Sequence, residues 1–240
     1  MRTESQRDQT CVIDASPGGS LYTCGIRTSG EVECWGAGKD EELIGSHVRQ
    51  SMAPPGRFLE IAAGDQITCG LRPDFTIECW GTTFAVDDKP REPEPPCGQF
   101  VQMSAQGGTG CAVDPTGRLA CWPNPLPWST FEPTAEPVEQ VSLGVFCACV
   151  LYTTGEADCR VGRMSQHPPF PTWVDRWQRA RVAAVACGTE IANTACAILE
   201  DGTVECMADC QWDVADSGPP SGRTCGGRRG NIAIHLTRRE

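Results

Sequence analysis

The stretch CGIRTSGEVEC, Cys24–Cys34, decides the fold because its pattern recurs four more times along the chain. The other copies read CGLRPDFTIEC (Cys69–Cys79), CAVDPTGRLAC (Cys111–Cys121), CVLYTTGEADC (Cys149–Cys159) and CAILEDGTVEC (Cys196–Cys206). Nine residues separate the two cysteines in every copy, and the copies begin 45, 42, 38 and 47 residues apart. Regular self-similarity at this period is typical of repeat proteins.

The interior of each copy predicts a β-hairpin. An apolar residue lies two positions inside each cysteine, as Ile26 and Val32 do in the first copy, and this alternation is the period of a strand. Four copies place Gly at the end of the loop, where a left-handed residue completes a three-residue turn, whereas the second has Phe75 and predicts strain. Folding about the loop sets the cysteines opposite one another and favours the disulfides Cys24–Cys34, Cys69–Cys79, Cys111–Cys121, Cys149–Cys159 and Cys196–Cys206.

Metal binding and buried free thiols are the alternatives to these disulfides. Zinc sites usually bring two ligands two to four residues apart, which these cysteines do not do, and the three histidines do not recur with the repeat. Free thiols would fit a reducing compartment. Six further cysteines have no hairpin partner, and we expect Cys147–Cys187 to bridge neighbouring repeats and Cys11–Cys225 to join the chain ends; Cys97 and Cys210 stay unassigned.

A weaker repeated strand precedes the hairpins, as in FLEIAAG (Phe58–Gly64) and VAAVACG (Val182–Gly188). Three or four short strands in roughly 43 residues is the period of a propeller blade. We therefore expect one domain over residues 1–240, with a segment at 208–240 that closes the ring through a strand around Asn231–Leu236. The repeat cores are 11–36, 58–81, 100–122, 138–160 and 181–207.

The hairpins resemble the repeat of the regulator of chromosome condensation (RCC1) superfamily. The matching residues are Thr23–Ile26 with Gly30–Gly36, and Thr68–Leu71 with Ile77–Gly81. The resemblance covers residues 10 to 210 and implies an all-β propeller, in the cysteine-rich style of secreted bacterial members. Propellers of this superfamily usually have seven blades, so five hairpins indicate a five-bladed ring or a truncated or degenerate larger one.

Composition limits the function. The chain has 240 residues and a formal net charge of −11, which disfavours nucleic-acid binding. No apolar run approaches the roughly 18 residues of a membrane span. The first residues do not form a signal peptide, so a secreted, periplasmic or surface location requires that one was removed or that this is a segment of a longer chain. We expect no metal or other cofactor and a monomer.

The segments between repeats are rich in proline, and two of them carry aromatic side chains. Such residues on rigid loops are typical anchors for a protein partner, although packing against the blades is the alternative. The candidate binding residues are Trp128, Phe131, Phe170, Trp173 and Trp177. For the repeated Trp35, Trp80 and Trp122 we expect packing between blades.

The residues favour a non-enzymatic protein-binding propeller. Within binding, the resemblance suggests as an alternative an inhibitor of a secreted hydrolase, as beta-lactamase inhibitory protein II is. An alternative of another class is a glycoside hydrolase that uses loop carboxylates, for which the acidic pairs are Glu41-Glu42 and Asp87-Asp88. The recurrent acids Glu33, Glu78, Asp158 and Glu205 are interpreted as part of the scaffold, because they repeat with the blade.

Overall fold

The structure, a computed structural model, describes residues 12–18, 22–36, 52–84, 90–122, 136–144, 147–161, 177, 181–188 and 194–208. Within these residues the chain forms five three-stranded antiparallel sheets, one per sequence repeat, and a two-stranded ribbon. The strands are β1 (Val12–Gly18), β2 (Tyr22–Arg27) and β3 (Val32–Gly36) in repeat 1; β4 (Glu60–Ala63), β5 (Ile67–Leu71) and β6 (Ile77–Gly81) in repeat 2; β7 (Thr83–Phe84) and β8 (Pro90–Arg91) in the ribbon; β9 (Gln102–Gln106), β10 (Thr109–Val113) and β11 (Leu119–Trp122) in repeat 3; β12 (Val138–Leu143), β13 (Cys147–Tyr152) and β14 (Ala157–Val161) in repeat 4; and β15 (Val182–Cys187), β16 (Thr194–Leu199) and β17 (Val204–Ala208) in repeat 5.

The chain divides into two compact units, Met1–Leu126 with repeats 1 to 3 and Pro127–Glu240 with repeats 4 and 5. The expectation of one domain over 1–240 stays a prediction. The closing strand expected around Asn231–Leu236 lies outside the described residues, as do Cys11, Cys210 and Cys225.

In each repeat the middle strand pairs with both neighbours, and the two hairpin cysteines are directly opposite in the register. The five hairpin pairs lie at disulfide distance, and so does Cys147–Cys187, which connects repeats 4 and 5. Cys97 is exposed and has no disulfide. The loops turn as predicted, with Gly30 at φ 88° and Phe75 at φ 68° in the left-handed region.

Each sheet has two faces, because side chains alternate along a strand. We call the face that carries the hairpin disulfide the disulfide face and the other the reverse face. Wherever two consecutive repeats of one unit pack together, the disulfide face of the earlier repeat covers the reverse face of the later one. The core between repeats 1 and 2 shows this, since it joins Tyr22, Cys24 and Ile26 to Ile61, Ala63 and Trp80.

Hydrogen bonds and a close backbone approach fix the packing in the first unit. The Tyr22 hydroxyl donates to the Gly64 carbonyl oxygen at 2.7 Å and lies 2.7 Å from the Thr68 hydroxyl. A Cβ at Gly64 would come within 2.8 Å of the Gly107 nitrogen, so glycine is needed where repeats 2 and 3 approach. The glycine that ends the repeated upstream strand therefore has a packing role.

Repeats 4 and 5 are held differently. Besides the Cys147–Cys187 pair, the Gln140 side chain both donates to the Val185 carbonyl at 3.1 Å and accepts from the Val185 amide at 3.0 Å. Ser142 accepts a hydrogen bond from the Cys187 amide at 2.9 Å. Side chains of repeat 4 thus bind the backbone of the first strand of repeat 5.

The repeated tryptophans differ in burial. Trp80 and Trp122 are 8% and 4% exposed on the reverse faces of repeats 2 and 3, in contact with the preceding repeat, as expected. Trp35 holds the same position in repeat 1 but is 45% exposed, so packing between blades is wrong for it in this structure. Repeat 1 is the first repeat of its unit, and no preceding repeat of that unit covers its reverse face.

Candidate binding surface

The hairpin turns are built by short side-chain hydrogen bonds. Asp74 accepts from the Thr76 amide at 3.1 Å and from its hydroxyl at 2.7 Å, and Asp114 and Thr116 repeat the arrangement in repeat 3. These bonds are the usual Asx-turn chemistry, which fixes the loop without help from the core. The turns can therefore carry varied side chains at their surface.

The turn carboxylates stay ionised because of the same bonds. Hydrogen bonds from the Thr76 hydroxyl and amide lower the pKa of Asp74. Burial raises the pKa of Asp114, but bonds from Thr116 and Arg118 outweigh it and the pKa is lowered overall. Since each carboxylate is engaged in its own turn, these groups support a structural role rather than acid–base chemistry.

Three exposed apolar side chains lie at the turn end of unit 1. Phe75 is in the turn of repeat 2, and Leu59 and Val101 directly precede the first strands of repeats 2 and 3. The Phe100 amide donates to the Phe75 carbonyl at 2.8 Å, which places the turn beside the start of repeat 3. We call Leu59, Phe75 and Val101 the turn surface.

Arg72 anchors this end of the unit. Its guanidinium lies 3.9 Å from the centre of the Phe58 ring, pairs with Glu78, and donates to the carbonyls of Arg57 and Pro55. The equivalent pair in repeat 1 is Arg27 with Glu33. The recurrent acid of the hairpin thus has a scaffold role in these two repeats, as the sequence indicated.

Phe75 is the feature of the turn surface that demands an explanation. It has φ 68° where the other four hairpins have glycine, and its side chain is 45% exposed rather than used in the core. Strain at an exposed aromatic residue is an observation from which a functional hypothesis can start. The missing glycine predicts strain at Phe75 but not that the residue belongs to a binding surface; its place in the turn, where the other hairpins have glycine, is the signal in the sequence.

The loop aromatics proposed from the sequence are only partly placed. Trp177 is 1% exposed and packs in the core of unit 2 beside Val182 and Cys187, so it is a packing residue and not part of an exposed binding surface. The proline-rich surroundings gave no hint of this, because an aromatic loop residue serves either role. Trp128, Phe131, Phe170 and Trp173 lie outside the described residues.

The described part of the chain contains no group of three or more side chains arranged to hold a metal ion. It also contains no helix long and apolar enough to cross a bilayer. The acidic pairs Glu41-Glu42 and Asp87-Asp88 lie outside the described residues, so their role in the hydrolase alternative stays a prediction.

Comparison with protein-family models and with curated proteins finds no match, but many solved structures match. The CRINKLY WD40 ectodomain of the Arabidopsis thaliana receptor kinase ACR4 is 23% identical at a TM-score of 0.55, over 83% of this chain and 66% of that one. Human WBSCR16 is 14% identical at 0.57, over 82% and 61%. The structure of Kap60 bound to yeast RCC1 (Prp20) gives 16% at 0.50, over 76% and 53%.

At these identities the likeness concerns the fold. The chain has an RCC1-like propeller fold built from small antiparallel sheets, and the fold class predicted from the sequence is confirmed. The chain spans from about half to two thirds of the length of these structures.

Proposed function

We propose that the chain is a non-catalytic protein-binding propeller, secreted or exposed at a cell surface, that contacts its partner through hairpin turns and the segments between repeats. The exposed, left-handed Phe75 on the turn surface carries the proposal. A partner that buries an aromatic side chain on a rigid turn gains apolar contact with little loss of side-chain entropy.

Three further observations support the proposal. The six cysteine pairs at disulfide distance fit an oxidising compartment. The solved structures of the same fold include the ectodomain of a receptor kinase and an RCC1 protein in complex with a protein, Kap60. The sequence also carries the aromatic residues Trp128, Phe131, Phe170 and Trp173 in proline-rich segments between repeats, and they stay proposed binding residues, whereas Trp177 is buried and is no longer a candidate.

Immobilised chain, incubated with the extracellular fraction of its source, tests the proposal. A protein retained by the wild type should be lost with Phe75→Glu, and the purified partner should then show at least a tenfold weaker Kd for that variant by calorimetry. Glu139→Gln is the matched control, because it changes an exposed residue within β12, outside the hairpin turns and the segments between repeats. Equal retention by wild type and Phe75→Glu would contradict a role for the turn surface.

The same experiment addresses the two alternatives. Inhibition of a secreted hydrolase is a special case of the proposal, and it requires that the captured partner be a hydrolase whose activity falls in the complex. A propeller glycosidase would instead turn over a panel of glycosides, and Glu42→Ala or Asp87→Ala would abolish that turnover.

A further inference from the structure

Four cysteine sulfurs of unit 2 lie together in the core between repeats 4 and 5. They belong to two disulfides, Cys147–Cys187 between the repeats and Cys149–Cys159 within the hairpin of repeat 4. The sulfur of Cys187 lies 3.5 Å from that of Cys149, to which it is not bonded. We call Cys149 and Cys187 the inner cysteines and their partners, Cys159 and Cys147, the outer cysteines.

The fold fixes the inner cysteines at this distance. Cys147 and Cys149 are two residues apart in β13, so their side chains lie on the same face of the sheet. The amide of Cys187, at the end of β15, donates to the Ser142 hydroxyl at 2.9 Å. A Cβ at Gly144 would come within 2.9 Å of the Cys187 Cβ and 3.1 Å of the Cys147 sulfur, so glycine leaves the space that the sulfurs occupy.

The sequence gives only repeat 4 a cysteine at the place of Cys147. Two residues before the first hairpin cysteine, the other repeats have Tyr22, Ile67, Thr109 and Thr194. The other four hairpin disulfides therefore lack the neighbour that Cys149–Cys159 has at this position.

A thiolate reacts with a disulfide by attacking one sulfur and displacing the other. When a dithiol reductant attacks Cys159, its sulfur bonds to that of Cys159, the Cys149–Cys159 bond breaks, and Cys149 leaves as a thiolate. This thiolate is then placed to attack Cys187, since reacting atoms about 3 to 3.5 Å apart are close to the geometry of reaction. The Cys149–Cys187 bond forms, and Cys147 leaves and takes up a proton. The second thiol of the reductant displaces Cys159, so the reductant ends as a disulfide and the chain has gained two electrons and two protons.

Attack at the other outer cysteine leads to the same product. A thiolate that attacks Cys147 displaces Cys187, which attacks Cys149 and displaces Cys159. The route through Cys159 is favoured, because this residue is 7% exposed and Cys147 only 1%. By either route one bond remains, between the inner cysteines, and both outer cysteines become thiols.

We propose that these four cysteines form a redox switch, in which a dithiol reductant opens the disulfide of the repeat 4 hairpin while repeats 4 and 5 stay covalently linked. The hairpin loses a cross-link that closes a loop of 10 residues, so β14 becomes easier to detach from β13. The link between the repeats moves from Cys147 to Cys149, two residues along β13, and the contact between the repeats is retained.

Graded addition of dithiothreitol to the full oxidised chain tests the exchange. Thiols are trapped with N-ethylmaleimide at low pH, and the linked peptides are identified by mass spectrometry. When the four cysteines have gained two thiols, most chains should carry trapped Cys147 and Cys159 and a Cys149–Cys187 bond; fragmentation at Ala148 distinguishes the two cysteines of β13. Hydrogen exchange at this stage should be about tenfold faster or more in β14, and unchanged in β15.

A variant and a matched control test the exchange without a reductant. Cys159→Ser leaves Cys149 as a thiol beside the Cys147–Cys187 disulfide, so a Cys149–Cys187 bond and a Cys147 thiol should form. Cys79→Ser leaves Cys69 as a thiol with no cysteine two residues before it, so Cys69 should stay a thiol. Circular dichroism checks the fold of both variants.

The wild-type titration overturns the proposal if one of the two original disulfides stays intact while both cysteines of the other are trapped, or if all four thiols appear in a single step. Unchanged hydrogen exchange in β14 would also overturn it. So would a folded Cys159→Ser chain that has only the Cys147–Cys187 bond. None of these results bears on partner binding through Phe75, which belongs to unit 1.

Discussion

The contact between repeats 1 and 2 and the contact between repeats 4 and 5 join the same two faces by different chemistry. The first uses large aromatic side chains: Phe58 and Trp80 of repeat 2, tilted at 54° with ring centroids 5.7 Å apart, pack against repeat 1, and the Tyr22 hydroxyl donates to repeat 2. The second buries Trp177 among aliphatic side chains and adds a covalent pair between Cys147 and Cys187 and the amide of Gln140 on the backbone of repeat 5. The same pair of faces is thus held with a covalent cross-link in one contact and without one in the other, so the two contacts should respond to different perturbations.

The largest effect should come from removing the cross-link. Cys147→Ala with Cys187→Ala opens a loop of 40 residues and should lower the free energy of unfolding of unit 2 by about 4 kcal/mol in the chain-entropy account. Calorimetry measures the loss, and hydrogen exchange should place it in repeats 4 and 5. The matched control, Cys111→Ala with Cys121→Ala, opens a loop of 10 residues in unit 1 and should cost about 3 kcal/mol. A larger loss in the control would contradict this account of the cross-link.

In the aromatic interface, Trp80→Ala should cost about 3 kcal/mol, the low end for a buried tryptophan. The low end applies because the indole Nε1 is buried without a hydrogen-bond partner among the described residues, and this lowers the contribution of the side chain to the free energy of unfolding. Trp35→Ala is the control and should cost less than about 0.5 kcal/mol in dilute solution, since the side chain is half exposed. Equal losses in denaturant titrations would show that burial does not distinguish these two positions.

The Tyr22 hydroxyl contributes a smaller part of the same interface. Tyr22→Phe should cost about 1 to 2 kcal/mol, because Thr68 and the Gly64 carbonyl are left buried with one partner fewer. In a double-mutant cycle, Thr68→Val added to Tyr22→Phe should cost less than the sum of the single changes. Additive losses would mean that the two hydroxyls do not interact.

Burial raises the pKa of Tyr22 well above its usual value near 10. The unfolded chain therefore loses the phenolic proton first, and the stability from the neutral hydroxyl is complete below pH 10 and is lost as the pH rises above it. The difference in the free energy of unfolding between wild type and Tyr22→Phe should accordingly shrink above pH 10. A constant difference up to pH 11 would contradict the burial of the hydroxyl.

The smallest effect concerns the hairpin turns of repeats 2 and 4, which contact the start of the following repeat. The Phe75 carbonyl accepts a hydrogen bond from the Phe100 amide, and the Gly155 carbonyl accepts one from the Val182 amide. Both residues have a positive φ, but only Phe75 carries a side chain, which makes that conformation strained. Phe75→Gly should stabilise unit 1 by up to about 1 kcal/mol, since the relief of strain exceeds the added chain entropy. Gly155→Phe should lose stability in unit 2 under the same assay. A destabilised Phe75→Gly would show that the ring contributes to folding.

The hairpins and their disulfide register followed from the sequence because the cysteine spacing, the alternation about it and the turn glycines are all local signals. The burial of Trp177 and the exposure of Trp35 could not be predicted in this way. Trp177 lies in a proline-rich segment with no periodicity and is nevertheless buried, and Trp35 has the pattern of a packed residue but no preceding repeat in its unit. Burial at both sites depends on neighbours distant in sequence, which a local pattern does not encode.

The Cys147–Cys187 contact could be predicted from the sequence, but the hydrogen bonds beside it could not. Equivalent strand positions in adjacent repeats suggested the pair, because a period that holds in sequence also holds in space. The role of Gln140 and Ser142 was not visible, since neither residue marks a turn or a charge pattern. The same limit applies to Phe75, where the sequence indicates the strain but not the exposure of the ring.

The order of the cysteines along the chain has a consequence for oxidation during synthesis. In every hairpin the second cysteine is the next one to emerge after its partner, so each of the five hairpin bonds joins two successive cysteines. Cys11, Cys97, Cys147 and Cys187 each emerge directly before the first cysteine of a hairpin. Cys147 is the nearest of them, because it emerges two residues before Cys149, and its own partner follows 40 residues later. The sulfur of Cys187 then arrives 3.5 Å from that of Cys149, within reach of thiol exchange. Scrambled isomers of the growing chain should therefore concentrate in repeat 4, where a disulfide isomerase would act.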